Sequence, residues 1–210
     1  MARRTKAEAL VTRENILNSA LDIFSEKSYS DVSVVEIAAK AGVTKGAVYW
    51  HFKGKNEIIL KIVKESCKKN ESDFLDIYGT PKSLVALRSF YKESLVRPTQ
   101  DERYKKIHSM MFRRHEWPKD LQAKINDIVS ESMSREVQML ETLISKAQAA
   151  GKVRLDVNAR HVASVTSSVF RGLFILQLAE MLPDDFIYYS DFLFDALSHE
   201  LDARKDYNIL

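Results

Sequence analysis

Cysteine is almost absent from this sequence, and no stretch of it has the composition of a membrane segment. Cys67 is the only cysteine among 210 residues, so no disulfide can form within the chain, and a reducing compartment is favoured. The opening residues run directly into arginine and lysine and lack the apolar core of a signal peptide. The most apolar stretch, residues 170–182, is interrupted by Arg171, Gln177 and Glu180 and is too short to cross a bilayer. We therefore expect a soluble, cytoplasmic protein that has no membrane partner.

Glycine and proline are also scarce, with six and four in the chain, and most of them lie between segments whose apolar residues have helical spacing. In one such segment, Val34, Ile37, Ala38 and Ala41 follow the i, i+3, i+4, i+7 pattern of a helix face. No segment alternates apolar and polar residues for long enough to predict a strand. The spacing predicts an all-α protein of about nine helices.

The positive charge is concentrated near the start of the chain. The net charge is +3, with 32 Lys and Arg against 29 Asp and Glu. Residues 1–64 hold 11 Lys and Arg against 7 Asp and Glu, whereas the rest of the chain holds 21 against 22. A basic segment followed by a nearly neutral one is typical of proteins that bind nucleic-acid phosphates at one end. A chance excess of lysine would give the same count, so charge alone does not establish that this segment binds nucleic acid.

Two short helices joined by a tight turn are predicted between residues 33 and 52. Ser33 and Glu36 have the spacing of a capping box, in which the serine hydroxyl accepts from the Glu36 amide and the Glu36 carboxylate reaches back. Gly42 can adopt the left-handed conformation that ends the first helix, and Thr44 is an N-cap for the second. This is the layout of a helix-turn-helix, whose second helix enters the major groove of DNA.

The second helix has an outward face that is unusual for contact with solvent. Val43 and Val48 are expected to pack inward, which leaves four residues facing outward: Lys45, Gly46, Ala47 and Tyr49. Gly46 lowers helix propensity by about 1 kcal/mol relative to alanine, but it allows the helix to lie very close to another surface. Lys45 can reach a guanine edge or a phosphate, and Tyr49 can donate to a phosphate oxygen.

Four neighbouring residues extend this region. His51 can donate to a phosphate, and Lys55 is expected at the start of the following helix, where free amides also attract phosphate. Trp50 and Phe52 have two interpretations, because aromatic side chains in this position either face outward or form a core between the first segment and the rest. The sequence leaves both interpretations open.

These residues resemble the DNA-binding segment of the TetR family of bacterial transcriptional repressors, and most of all the multidrug-efflux branch that includes AcrR and TtgR. The resemblance is carried by Thr12, Arg13, Ile16, Phe24, residues 37–38, residues 41–52 and Lys55. It implies a helix-turn-helix domain over residues 1–55, with the family domain at about 10–70, and a ligand-binding and dimerisation domain over 56–210. Ser28 departs from the family, which usually has glycine there.

The resemblance implies that Lys45, Gly46 and Ala47 face the bases and that neighbouring residues hold the DNA backbone. The predicted DNA-binding set is Ser33, Thr44, Lys45, Gly46, Ala47, Tyr49, Trp50, His51 and Lys55. Because members of the family are homodimers joined through their last two helices, we expect pairing through about residues 158–178 and 185–201. The expected dimer residues are Val162, Val165, Val169, Leu173, Phe192, Leu193 and Leu197. Two copies would place their recognition helices roughly 34–36 Å apart on a palindromic double-stranded operator. A monomer with these stripes buried is the alternative.

Methionine and aromatic residues between 108 and 117 are suited to an adaptable apolar cavity. The predicted ligand-binding residues are Ile62, Ser66, Leu87, Tyr91, His108, Met111, Phe112, Met133, Val137, Phe170, Arg171 and Phe174. His108 and Gln138 are expected to orient the ligand, and a filled helical core is the alternative for each residue. A buried Arg171 requires a carboxylate from the protein or from the ligand, which gives the hypothesis that inducers include amphipathic anions.

We therefore predict a repressor of a multidrug or bile-type efflux operon that small apolar or amphipathic ligands release from DNA. We expect no cofactor and no catalytic activity, because His108, His115 and Glu116 lack a recognised metal-ligand spacing and Cys67 lies on an apolar stripe. One alternative is a sensor of acyl-CoA or another metabolite. A remote alternative is a protein that bridges DNA without sequence specificity.

Overall fold

The computed structural model describes residues 5–78, 84–179, 181–183 and 185–202. Over these residues the chain forms nine α-helices and two short 3-10 segments, and its one β-type pairing is an isolated antiparallel bridge between Val153 and Asp202. The helices are α1 (Lys6–Glu26), α2 (Val34–Lys40), α3 (Lys45–His51), α4 (Lys55–Tyr78), α5 (Leu84–Gln100), α6 (Glu102–Phe112), α7 (Lys119–Ala149), α8 (Ala159–Leu178) and α9 (Ile187–Leu201). The predicted all-α class is confirmed. In the same part of the chain, no helix has both the length and the apolarity needed to span a membrane.

Packing divides the chain into two units. The first comprises Met1–Lys68 and Glu102–Val129, and the second comprises Lys69–Asp101 and Ser130–Leu210. Both α4 and α7 supply residues to each unit. The first unit therefore includes α6 and the start of α7, which the predicted division after residue 55 placed in the second domain. That division concerns function and stays a prediction.

The first unit is built around α1. Thr5 caps this helix with a complete capping box, because its hydroxyl accepts from the Glu8 amide at 3.2 Å and its amide donates to the Glu8 carboxylate at 2.7 Å. Ile16, Leu17 and Phe24 lie almost fully buried on the inward face. They share one apolar core with residues from five other helices: Ile37, Val48, Ile58, Ile59, Ile62, Ile107, Met110, Leu121 and Ile125.

Polar contacts fix α6 on α1 within the first unit. The Lys106 ammonium lies 2.7 Å from one carboxylate oxygen of Asp22, and the Lys40 ammonium lies 3.6 Å from the other. The hydrogen bond from Lys106 lowers the pKa of Asp22. Arg103 also donates to the side-chain oxygen of Asn18. The first half of α6 is thus tied to the C-terminal half of α1.

The second unit has a separate core with an aromatic stack at its centre. The rings of Tyr91, Phe170 and Phe194 come from α5, α8 and α9, and each residue is at most 4% exposed. The Tyr91 and Phe170 centroids are 4.2 Å apart, and those of Phe170 and Phe194 are 4.8 Å apart. On the surface, Asp191 of α9 accepts from the Lys92 ammonium of α5 at 2.8 Å. Apolar packing therefore joins all three helices, and an ion pair adds a second connection between α5 and α9.

Candidate nucleic-acid interface

The segment from Ser33 to His51 has the predicted helix, turn and helix. The Ser33 hydroxyl accepts from the Glu36 amide at 3.1 Å and begins α2. Gly42 has a φ of 66° in the left-handed region and ends the first helix. The Thr44 hydroxyl accepts from the Ala47 amide at 3.1 Å and begins α3. These local predictions are confirmed.

One half of the predicted capping box at Ser33 is wrong. The Glu36 carboxylate accepts from the Lys27 ammonium at 2.7 Å instead of reaching back to the start of its own helix. This hydrogen bond lowers the pKa of Glu36 and raises the pKa of Lys27. The cause is tertiary, since Lys27 directly follows α1. The carboxylate therefore connects two elements of the first unit.

The outward face of α3 is exposed, as its sequence predicts. Val48, on the inner face of α3, is completely buried, and Val43 packs against the same core. Lys45 and Gly46 are exposed, whereas Tyr49 is 49% exposed and its ring centroid lies 5.8 Å from the Lys45 ammonium. The predicted base-facing residue Ala47 is half-buried. A cation and a phenol hydroxyl are thus presented beside a helix surface with almost no side chains.

Gly46 is not required by the fold. Its backbone is not among those with positive φ, and a Cβ added there would meet only the Thr44 hydroxyl oxygen, at an ordinary 3.8 Å. An alanine would fit this position and would favour the helix. Neither the backbone conformation nor the packing of the described residues therefore accounts for a glycine at this position.

The two aromatic residues whose position the sequence left open have opposite environments. Phe52 is 3% exposed and belongs to the first core, and the Arg13 guanidinium lies 5.2 Å from its ring centroid. Trp50 is 73% exposed, and the ring of His51 stands edge-on to it at 4.5 Å. An exposed tryptophan next to Tyr49 enlarges the outward surface of α3. The contacts of Trp50 and His51 with DNA stay predictions.

Lys55 is the first residue of α4, as predicted, but its ammonium lies on the protein itself. It donates to the carbonyl oxygens of Tyr29 and Val32 at 2.7 Å and 3.0 Å, and burial lowers the pKa of Lys55. The expected contact with phosphate stays a prediction. Sequence reasoning missed Tyr29 and Val32, because no local spacing relates them to a residue more than 20 positions away.

The predicted ligand-binding residues are divided between the two units. Ile62, Ser66, His108, Met111 and Phe112 belong to the first unit, whereas Tyr91, Met133, Val137, Phe170, Arg171 and Phe174 belong to the second. The side chain of Leu87 lies outside the described residues. Ile62 is completely buried in the first core and Phe112 is 50% exposed. Burial lowers the pKa of His108 to about 4, so its ring is neutral at pH 7.

In the second unit, Glu136 joins two of these predicted residues in a polar network. The Glu136 carboxylate accepts from the Tyr91 hydroxyl at 3.0 Å, from the Ser167 hydroxyl at 3.1 Å and from the Arg171 guanidinium at 2.6 Å. Burial and the nearby carboxylate raise the pKa of Tyr91 well above its ordinary value. The carboxylate that Arg171 requires is therefore supplied by the protein. This finding removes the reason for expecting anionic inducers. Glu136 itself was not predicted from the sequence.

Met133, Val137 and Gln138 line an open groove of about 1030 Å³ that runs along α7 in the second unit. Arg160 and Ser164 from the start of α8 form part of its wall. The groove is lined mainly by hydroxyl and other polar groups. The role of Met133 and Val137 in ligand binding stays a prediction.

The predicted dimer residues fall into two groups within the second unit. Val165, Val169 and Phe192 are exposed, at 56%, 36% and 71%. Val162 and Leu173 pack against the second core. Leu193 and Leu197 are half-buried. Four further apolar residues extend the exposed group on α8 and α9: Ile175, Leu176, Tyr188 and, just beyond α8, Met181.

Two short helices, a left-handed glycine between them and a basic outward face on the second helix define a helix-turn-helix protein of the DNA-binding class. A family model described as "Bacterial regulatory proteins, tetR family" matches residues 16–62. Over 180 residues the chain is 32% identical to the transcriptional regulator AcrR of Shigella flexneri, covering 82% of this chain and 81% of AcrR. The chain therefore belongs to the TetR family of bacterial transcriptional regulators.

Solved structures share the fold. The structure of NalD from Pseudomonas aeruginosa, the secondary repressor of the MexAB-OprM multidrug efflux pump, has a TM-score of 0.76 at 20% identity. It covers 95% of this chain and 100% of NalD. The complex of triclosan with SmeT, a repressor from Stenotrophomonas maltophilia, has a TM-score of 0.75 at 23% identity and covers 95% of both chains. The all-α architecture thus extends over nearly the whole molecule.

Proposed function

We propose that this regulator represses a multidrug efflux operon and that small apolar or amphipathic ligands release it from the operator. The observation that carries the DNA-binding part is the exposed face of α3, where Gly46 is unexplained by the fold. The efflux part is supported by the similarity to AcrR and by the structural likeness to repressors of efflux pumps. No cofactor is needed for this activity.

The proposed DNA contact places the start of α3 in the major groove. Gly46 allows the backbone to approach the bases, and Lys45 donates to a guanine edge or a phosphate. The hydroxyl groups of Tyr49 and Thr44 reach phosphate oxygens on either side of the groove. The exposed end of α2 at Ser33 and the rings of Trp50 and His51 complete this surface. Specific contacts and phosphate contacts thus come from one short helix and its flanks.

The proposed active form is a homodimer, paired through the exposed apolar face of α8 and α9. Val165, Val169 and Phe192 would leave water on pairing, which supplies a hydrophobic driving force. Two-fold symmetry then requires a palindromic double-stranded operator with half-sites about one helical turn apart.

Release by a ligand follows from linkage between two binding equilibria. A ligand that binds better to a dimer with the wrong spacing between its recognition helices shifts the population away from the DNA-binding form. Because Arg171 is already paired with Glu136, the polar network carries no unbalanced charge that would select an anion. The charge balance of the second unit therefore favours neutral apolar ligands over amphipathic anions.

The test of DNA recognition uses operator DNA found by footprinting the purified protein on the region upstream of its own gene. The Lys45→Ala/Tyr49→Ala double variant should lose at least about 100-fold in operator affinity and reduce the salt dependence, since each lost phosphate contact lowers the slope by about 0.9. Lys152→Ala, which removes one exposed charge from the second unit, is the control and should change neither. Unchanged affinity and slope in the folded double variant would contradict the proposal.

The test of release measures operator affinity at fixed salt with and without a neutral apolar probe such as triclosan. The probe should weaken operator binding by the wild-type protein and by Lys152→Ala to the same extent. Release by acyl-CoA but by no apolar drug would contradict the efflux assignment and favour a metabolite sensor.

A further inference from the structure

The ammonium of Lys55 lies in a site made by the loop that precedes α2. It donates to the carbonyl oxygens of Tyr29 and Val32 at 2.7 Å and 3.0 Å, and it lies 3.9 Å from the centroid of the Tyr29 ring. Two carbonyls and an aromatic face replace part of the water around this half-buried cation. Lys55 is therefore a residue with three protein contacts and not a free surface charge.

The neighbouring residue of α4 holds the same loop from a second point. The Tyr29 hydroxyl donates to the side-chain oxygen of Asn56, and the Tyr29 ring stacks on Phe24 of α1 with centroids 6.3 Å apart. Ser28 begins this loop with a φ of −63°, so the turn does not use the left-handed conformation that glycine would permit. Side-chain contacts from α4 and α1 fix the loop.

The loop that Lys55 holds determines where the helix-turn-helix begins. Val32 is 2% exposed and belongs to the first core, and the next residue, Ser33, caps α2. The left-handed Gly42 then leads directly from α2 into α3. A shift of the carbonyl of Val32 would therefore move the start of α2 relative to α4, and α3 would move with it.

We propose that Lys55 is a positioning residue for DNA recognition, which sets the helix-turn-helix through the carbonyls of Tyr29 and Val32 and does not grip DNA phosphate. The proposal rests on the DNA-binding function of the family and adds a role for a lysine that sequence reasoning assigned to the DNA backbone. If Lys55 left the loop to bind phosphate, both carbonyls would lose their donor. The contacts favour the protein-bound position.

Three variants separate the two roles. Lys55→Arg keeps the positive charge, which would preserve a phosphate contact. It replaces the compact ammonium with a larger planar group, which we expect to disturb the contacts with the two carbonyls. Lys55→Met removes the charge. Lys53→Met removes a charge from an exposed position two residues earlier and is the matched control.

Operator and random-sequence DNA are titrated with each variant over a salt series, at a temperature at which circular dichroism shows the variant folded. We expect Lys55→Arg to lose roughly tenfold in operator affinity, about the effect of one charge-assisted hydrogen bond, with the wild-type salt slope and wild-type affinity for random DNA. Lys55→Met should lose at least as much relative to Lys53→Met. The ratio of operator to random-DNA affinity therefore falls in both Lys55 variants.

Two outcomes would overturn the proposal. Full operator affinity in Lys55→Arg, together with a slope reduced by about 0.9 in Lys55→Met, would show a phosphate contact. A lower melting temperature with an unchanged specificity ratio would show a role in stability alone. Wild-type protein in the same titration separates these results from a failure of operator recognition itself.

Discussion

Gly46 occupies the second position of α3, where the backbone is ordinary and the surroundings are open. Since a Cβ would meet only the Thr44 hydroxyl oxygen at 3.8 Å, we expect Gly46→Ala to raise the free energy of unfolding by up to about 1 kcal/mol. The same methyl group should weaken operator binding, because it separates α3 from the groove. Urea unfolding and operator titration measure the two effects on one protein.

Gly42 is the control for this prediction. It has a φ of 66°, so Gly42→Ala should destabilise the protein by roughly 1–2 kcal/mol through backbone strain. A Gly46→Ala variant that binds operator as tightly as the wild type would show that close approach at this residue is not needed.

His108 predicts a pH dependence of stability. Burial lowers the pKa of this residue from 6.5 to about 4, so between these values the unfolded chain binds more protons than the folded one. Stability is therefore complete above about pH 6.5 and is lost as the pH falls toward 4, by up to about 2 kcal/mol at pH 5. The difference between the melting temperatures at pH 7 and pH 5 should be smaller in His108→Gln than in the wild type. The exposed His115→Gln should keep the wild-type difference, and an unchanged difference in His108→Gln would contradict the assignment.

Among the secondary-structure elements, α2 and α3 could be predicted because their signals are local. Ser33, Gly42 and Thr44 act on amides or dihedral angles within three residues, and their roles are confirmed. The spacing of Val43 and Val48 also predicted which side of α3 is buried and which side is exposed. The boundaries of elements whose ends carry such signals were therefore accessible from the sequence.

The polar pairings between elements could not be predicted. Glu36 bonds Lys27 across a helix boundary, Lys55 bonds Tyr29, and Glu136 bonds Arg171 from a different helix. Each pairing depends on how helices pack, and on sequence grounds many carboxylates or backbone carbonyls could have served each cation equally well. The pairing of Arg171 with Glu136 shows the consequence, since it overturned the argument for anionic ligands.

The Glu136 network is expected to hold α5, α7 and α8 together. Glu136→Ala removes the acceptor of Tyr91 and Arg171 and should destabilise the protein by about 1–3 kcal/mol, at the lower end because the Arg171 side chain is 35% exposed. In a double-mutant cycle of Glu136→Ala with Arg171→Ala, measured by urea unfolding, the double variant should lose less stability than the sum of the two single variants. Additive effects would mean that the ion pair contributes nothing to stability.

At the scale of the molecule, and among the residues that the structure describes, exposed apolar side chains are most numerous on two helices. Six of the fourteen large exposed apolar side chains among the described residues lie on α8 and α9: Val165, Val169, Ile175, Leu176, Tyr188 and Phe192. A concentration of this kind indicates an association surface, since single exposed apolar residues elsewhere need no explanation. The core on the opposite side of the same helices is complete without them.

Phe192 and Phe194 provide a matched pair for testing this surface, because they lie two residues apart on α9 and are 71% and 3% exposed. Phe192→Asp places a charge in the proposed interface and should give a folded monomer in sedimentation equilibrium. Its footprint should shrink to a half-site with much lower affinity, because a monomer loses the second recognition helix. Phe194→Ala should instead cost about 3–5 kcal/mol of folding free energy through the cavity it leaves. If Phe192→Asp remains a dimer with the full footprint, the copies pair through a different surface, and the spacing of the recognition helices is not set by α8 and α9.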